Sequence, residues 1–439
     1  MTDLRSLLSR LERDGRLTRI RKGVDPFLTA ASIASALDGR AVLFENVRGH
    51  EMPVVAGIGS HRDHYASALG VGRDDLLGHI AAAFDSNGYP PEVEDAACKE
   101  RIDAAPSLDR LPILTHFEGD GGPYITSGVA VVRDPELGQN LSFHRLMKIG
   151  KDRLVARIVE GRGTHTALAK SGGELDIAVC IGAPLHVLLA AACSPPPGHD
   201  ELRIASALAP TPVVRAEGSD LLVPAQTEIV LEGRITSELA DEGPFVDLTQ
   251  TPDVTRRQHV VEIDTITTRN DPYYHALMPA SDEHKLLMGM PREPSIFHAV
   301  GRAADVRNVV VTPGGCSWLH AVVQIAPKRE GDAMRAAKGA FEGHGSLKHC
   351  VVVDTDVDVY DPADIEWALA TRVQAGRDVT VFKDQPGSSL DPSAAHAEGK
   401  KSRTDKVAID ATVPRGADDG AYRKVRYAPV DLDDYLGDP

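Results

Sequence analysis

Residues 124–160 read YITSGVAVVRDPELGQNLSFHRLMKIGKDRLVARIVE. Three strand-like runs follow one another here, at 124–134, 136–150 and 152–160, and RDPELG supplies a turn between the first two. Consecutive runs joined by short turns pair antiparallel, so the stretch predicts a β-rich middle domain. DLLVPAQTEIVLEG (220–233) and HVVEIDTITTR (259–269) add strands, while THTALAKS (164–171) and PLHVLLAAAC (184–193) read as helices. A mixed sheet or barrel is expected over 105–285.

On the N-terminal side, Leu4, Leu7, Leu8 and Leu11 stand at i, i+3, i+4 and i+7, and Gly15 follows as a stop. This predicts an amphipathic helix opening an α/β unit over 1–100, with RAVLFENV (40–47) and PVVAGIG (53–59) as short strands. On the C-terminal side, helix-like DEHKLLMGM leads into VRNVVVTP, SWLHAVVQIAP, HCVVVDTDVDVY and DPADIEWALATRV, which alternate as an open α/β sheet would, over 290–439. Residues 383–405 are rich in Pro, Ser, Gly and Ala, the composition of a mobile loop. The fold class is therefore a multidomain α/β protein.

Composition narrows the function classes. Of 439 residues, 64 are acidic and 48 basic, and the formal charge of −16 gives no footprint for nucleic acid. No stretch reaches the roughly 20 apolar residues of a membrane span, and no signal peptide is read. Five scattered cysteines without CxxC spacing read as reduced thiols of a cytoplasmic protein.

Several motif fragments lead nowhere. DTDVDVYDPADIE begins like a calcium loop, but Val359 and Ile365 stand where glycine and glutamate are required, and its alternating valines read as a half-exposed strand. GRGTHT lacks the third glycine of a dinucleotide fingerprint. HRDH (61–64) reads as a solvated loop, and there is no GxSxG, P-loop or zinc-type cysteine set.

What remains is a set of separated polar residues. DEGPFVD (241–247) places Glu242 and Asp247 on either side of the apolar turn Gly243-Pro244-Phe245-Val246, which suggests carboxylates held beside an apolar pocket. Asn140 and Arg145 share one strand-like run, His165 begins a helix after a glycine-flanked turn, and Glu201 begins another after PPPGHD. Each also has a bland reading: turn completion for Asn140, helix-end satisfaction for His165, a dipole-favoured position for Glu201.

Taken together, NLSFHR, the downstream histidine, the acid after a proline-rich loop, EGPFVD, DEHKLL and KVAIDAT resemble the successive motifs of the UbiD family of prenylated-FMN-dependent decarboxylases. The resemblance covers nearly the whole chain. It implies a flavin-binding split β-barrel in the middle domain, a C-terminal oligomerisation domain, and a homodimer or homohexamer. It further implies Asn140, His165 and Glu201 as ligands of Mn2+ or Mg2+ bridging to the cofactor phosphate, an accompanying K+, and Ser142 and Lys406 at the cofactor. Two oxygen ligands and one imidazole suit such a hard cation.

By the same resemblance Arg145, Glu242 and Asp247 form a Glu-Arg-Asp version of the family's Glu-Arg-Glu network, with Asp247 as proton donor. His284 and Met288 resemble pocket-lining positions. The implied activity is reversible decarboxylation of a small aromatic or heteroaromatic acid through a covalent adduct with prenylated FMN, releasing CO2, with a flavin prenyltransferase as cofactor supplier. Two other readings stand beside it: a non-catalytic cofactor-binding subunit of a larger carboxylase, and a metal-dependent hydrolase built on Asn140, His165 and Glu201.

Overall fold

The computed structural model describes residues 3–397, 400–417, 419–425, 427–430 and 435. Its centre is a nine-stranded sheet in which every pairing is antiparallel. The strands Val129–Asp134 and Gly138–Phe143 form the hairpin expected around RDPELG, and Leu175–Ile181 lies beside Val129–Asp134. The longest pairing joins Ile229–Glu242 to Arg256–Thr268.

The opening stretch is more broken than its sequence suggests. The first run divides into Tyr124–Ile125 and Val129–Asp134, and Gly128 between them passes so close to Val179 that a Cβ there would lie 2.6 Å from Val179 Cγ1. The second run stops at Phe143 and resumes at Leu146, so Arg145 emerges from a break between two strands. Along Val129–Asp134 alternate residues serve two cores. Val129 and Val131 pack with Leu141 and Cys180, while Ala130 and Val132 pack with Val179 and Ile181. Burial on both faces explains the near-continuous apolar sequence.

The N-terminal helix is Leu4–Arg13, capped by the Asp3 carboxylate accepting from the Ser6 amide at 2.9 Å, and all four predicted leucines are buried. Behind it lies a four-stranded sheet ordered Leu17–Ile20, Ala41–Phe44, Val54–Ala56 and Tyr274–His275. Its last strand comes from more than 200 positions further on. Glu283 reinforces that crossing. Its buried carboxylate accepts from the amides of Gly57 (2.9 Å) and Gly59 (3.0 Å) and pairs with His275 Nε2 at 3.1 Å. Burial raises its pKa, but His275 and the two amides outweigh it and hold the carboxylate below its usual range.

The C-terminal sheet runs Val306–Val311, His320–Ile325, His349–Val353, Arg403–Ala411, Val379–Pro386, with helices Asp332–Gly343 and Pro362–Arg372 against it. Three local expectations need correction here and in the N-terminal unit. HRDH is not a solvated loop: His61 caps the helix Arg62–Leu69, His64 is buried against the Ile58 carbonyl, and Arg62 is buried against Glu293. The strand at His349 ends at Val353, and Val357 and Val359 are buried from turns, their apolar character serving a local core rather than a strand face.

The stretch 383–405 is strand at both ends, to Pro386 and from Arg403. Between them Asp391 is buried, accepting from Ser393 and Thr404 and pairing with Lys348 at 3.0 Å. Glu398 and Gly399 of this stretch lie outside the described residues.

Candidate active site

The strand Ile229–Glu242 delivers Glu242 at its end, and the chain then turns through Gly243-Pro244, a cis peptide. Gly243 has φ +100, and a Cβ there would press on the Val254 carbonyl at 3.0 Å, so the turn calls for glycine. Phe245 and Val246 then pair with Asp253 and Pro252 in a two-residue ladder. That ladder folds Asp247 and Asp253 back toward Arg145.

Arg145 is the hub. Its Nε donates to Glu242 Oε1 at 2.8 Å and Nη2 to Oε2 at 3.0 Å, a two-bond fork. Nη1 donates to Asp247 Oδ2 at 3.1 Å and Nη2 also to Asp253 Oδ2 at 2.8 Å. Phe245 lies under the guanidinium, 4.7 Å from ring centroid to Cζ, and Tyr124 packs on Phe245 while donating to Glu242 Oε1 at 3.1 Å. Burial alone would lower the Arg145 pKa; Glu242, then Asp247 and Asp253, more than reverse this and fix the positive charge.

Glu242 is sealed from solvent, whereas the Asp247 side chain keeps 24% of its surface exposed. Of the acids on Arg145, Glu242 is thus shut away from solvent, while Asp247 and Asp253 are both partly reachable. His284, on the helix Asp282–Gly289, lies near enough to Asp247 to feel its charge. Burial nonetheless lowers the His284 pKa, and its Nδ1 accepts from the Ala280 amide at 3.0 Å, so the ring is neutral and held. Met288 lies one turn further along the same helix.

A second cluster forms around Glu201, at the start of the helix Glu201–Leu208. Its Oε1 accepts from Asn140 Nδ2 at 2.9 Å and its Oε2 from the Leu141 amide at 2.8 Å. Burial pushes its pKa up to about 8, a carboxylate short of a cation. Asn140 Oδ1 abuts the helix Gly163–Lys170, where a Cβ on Gly163 would lie 2.9 Å from it, and His165 is two residues further along. Among the described residues no group of three His, Cys, Asp or Glu is placed to hold a metal. The expected set has only two such residues, with Asn140 supplying the third donor.

Ser142 lies 3.3 Å from His144 Nε2 and 3.4 Å from Thr164 Oγ1. Lys406 lies in the C-terminal sheet, buried, donating to the Gly345 carbonyl at 2.7 Å and lying over Phe341. Burial lowers its pKa to about 8. The structure thus joins Arg145, Glu242 and Asp247 directly, joins Asn140 to Glu201 with His165 on the adjoining helix, and holds Lys406 on a separate unit. Sequence reading missed Asp253 and Tyr124. Their signal lay in TPDVTRR and GGPYIT, two short segments with no periodicity to mark them.

Three carboxylates thus converge on Arg145 and engage four of its five N–H groups. The chain belongs to the UbiD family: it matches the N-terminal domain of 3-octaprenyl-4-hydroxybenzoate carboxy-lyase over 8–84, the Rift-related domain over 91–282 and the C-terminal domain over 285–411. It is 43% identical to an anhydromevalonate phosphate decarboxylase of Methanosarcina mazei over 412 residues, 93% of this chain and 95% of that one. A Methanothermobacter thermautotrophicus enzyme of the same name is 43% identical over 88% of this chain and 91% of its own.

Among solved structures, the UbiD-class enzyme HmfF from Pelotomaculum thermopropionicum in complex with FMN superposes with a TM-score of 0.94 at 40% identity, covering 99% of this chain and all of that one. An evolved dimeric form of HmfF in complex with prenylated FMN gives 0.90 at 38%, with the same coverage. The protein is a UbiD-class decarboxylase. No helix among the described residues is long and apolar enough to cross a membrane.

Proposed function

We propose that the chain decarboxylates an α,β-unsaturated, phosphorylated carboxylic acid of the anhydromevalonate phosphate type, using prenylated FMN, with Arg145, Glu242 and Asp247 as catalytic residues. The observation that carries the catalytic part is the Arg145 hub, which holds the sealed carboxylate of Glu242 and the partly exposed carboxylates of Asp247 and Asp253 on a single guanidinium. The substrate class is supported by relatives at 43% identity over most of the chain that bear that name.

Losing CO2 from an sp2 carbon leaves an electron pair that no side chain can accept, and prenylated FMN supplies that sink when bound. The residues present suit the cofactor's metal. Asn140 Oδ1, an imidazole from His165 and the buried Glu201 carboxylate would hold Mn2+ or Mg2+, and the cation would complete the charge that Glu201 lacks. Lys406 and Ser142 would face the phosphate, with K+ alongside the divalent ion.

The protein's own steps follow from charge and reach. Arg145 orients the reacting carboxylate; its fork on Glu242 fixes the direction of the remaining N–H groups. Asp247, partly exposed and within 3.1 Å of Nη1, passes a proton to the carbon that CO2 has left. Phe245 and Tyr124 keep water from Glu242.

A small aromatic or heteroaromatic acid is the second reading. It is favoured by the neutral His284 near Asp247, which can donate to a phenol or ring heteroatom, and by the likeness to the 3,4-dihydroxybenzoic acid decarboxylase of Klebsiella pneumoniae, at 25% identity and a TM-score of 0.90. The test is co-expression with a flavin prenyltransferase, anaerobic purification, and CO2 release from anhydromevalonate phosphate set against a panel of aromatic acids. Turnover of the phosphorylated acid alone supports the first reading, turnover of aromatic acids alone the second. Absence of flavin and of turnover would sink both.

A further inference from the structure

Four buried or partly buried arginines are each matched to a carboxylate: Arg62 to Glu293, Arg145 to Glu242, Arg269 to Asp3, Arg372 to Asp356. Arg292 has no such match. Among the described residues its guanidinium takes part in no hydrogen bond or ion pair, and its Nε is buried without a partner. Trp318 lies against it, 5.3 Å from Cζ to the ring centroid.

The nearby groups do not supply a counter-charge. Glu293, next in sequence, gives both oxygens to Arg62 and one of them also to the Val311 amide. The groups that act on Arg292 are Cys193, a thiol that burial pushes up to about 12 and so keeps neutral, and Arg162, a second cation. His344 packs edge-on against Trp318, and burial lowers its pKa to about 3, so it is neutral too. An uncompensated guanidinium in such a setting is costly unless an anion completes it.

The anion's identity follows from which cations are already assigned. Under the decarboxylase reading the cofactor phosphate goes to the metal set and Lys406. Arg145 has four N–H bonds engaged by carboxylates, so it can serve the reacting end of a substrate and no more. His284, close to Asp247, marks that end. Arg292 lies eight positions beyond it, across the helix Asp282–Gly289 and the turn Met290–Arg292, roughly 12 Å along the axis at helical rise.

We infer that Arg292, assisted by Arg162, receives a second anionic group of the substrate, a phosphate monoester at the end remote from the reacting carboxylate. This rests on the decarboxylase reading and assigns a residue to the phosphate of its substrate. A planar guanidinium braced on an indole presents a fork matched to phosphate oxygens, and it gives selection against acids that lack the group.

The test uses the prenylated-FMN holoenzyme and n-pentyl phosphate, a monoester that cannot react. Wild type, Arg292→Met and Arg292→Lys are compared by calorimetric binding, with flavin per chain measured in each. The expected result is binding to wild type, weakened ~100-fold in Arg292→Met, the loss of a hydrogen-bonded charge, and less in Arg292→Lys, which keeps the charge and guards against a folding artefact. Equal binding to wild type and Arg292→Met, or no binding to either, overturns the inference. Loss of flavin from Arg292→Met also overturns it, by giving Arg292 to the cofactor phosphate. A wild type that binds pentyl phosphate through Arg292 yet releases CO2 from no acid overturns the decarboxylase reading and leaves the phosphate site standing.

Discussion

Arg145 and Glu242 meet through two near-parallel hydrogen bonds, at 2.8 and 3.0 Å, at the point where one strand breaks and another ends. A lysine cannot reproduce that fork. Arg145→Lys should therefore keep its flavin and lose kcat by about 100-fold or more, the scale of a misplaced catalytic group. Single-turnover CO2 release at saturating substrate checks this, and a change confined to KM would contradict it.

Asp247 is the proposed proton donor and is partly exposed, so Asp247→Asn should retain the cofactor and substrate binding but lose hydrogen–deuterium exchange at the product carbon, with kcat reduced about 100- to 10,000-fold, the range for a lost general acid. Asp247→Glu, one methylene longer, should recover part of the rate. Mass spectrometry of product incubated in D2O distinguishes the two variants.

Lys406 carries a pH prediction for the cofactor-free protein. Burial lowers its pKa to about 8, below the usual 10.5. The unfolded chain then binds more protons than the folded one between about pH 8 and 10.5, so this residue's contribution to stability rises with pH across that window. At pH 7 the buried ammonium is a penalty. Lys406→Met should raise the apo-protein Tm at pH 7 by a few degrees and weaken flavin retention. A lower Tm in the variant would mean that the Gly345 and Phe341 contacts outweigh the burial cost.

Arg62 and Glu293 form a buried ion pair between the N-terminal unit and the helix Glu293–Gly301. Removing one member strands the other, at a cost of about 3–5 kcal/mol. Arg62→Met should show this in denaturant unfolding, and the double variant Arg62→Met, Glu293→Met should recover much of the loss.

Chelation addresses the Glu201 cluster. If Asn140, His165 and Glu201 hold a divalent cation, prolonged EDTA dialysis should release flavin while the circular dichroism spectrum stays unchanged, and Mn2+ with fresh cofactor should restore both binding and turnover. Flavin retained in full after metal is removed, as measured by elemental analysis, would detach these residues from cofactor binding.

The legible parts of the fold were those written in local periodicity. The leucine spacing at 4, 7, 8 and 11 and the RDPELG hairpin both appear as read. EGPFVD pointed to paired carboxylates, and Arg145 joins them. Asp253 was invisible because it reaches Arg145 through a ladder only two residues long, too short to leave a pattern. HRDH misled because the partner that buries Arg62 lies 231 positions away. At 354–360 the alternation of valine and aspartate was real, but turns bury Val357 and Val359 as readily as a strand would. Composition misjudged 383–405, since Asp391 there gathers Ser393, Thr404 and Lys348 into fixed contacts.

Glu283 ties Gly57 and Gly59 to the helix that carries His284, so the N-terminal unit and that helix share one carboxylate. Chimeras made by recombining two relatives inherit this constraint. A crossover in the 85–90 interval, between the matched N-terminal and central domains, draws the glycine loop from one parent and the glutamate from the other. Such a hybrid can keep every catalytic side chain and still seat His284 wrongly. Parents matched at 57–59 and 275–283 should therefore recombine with activity more often than parents matched only around Arg145.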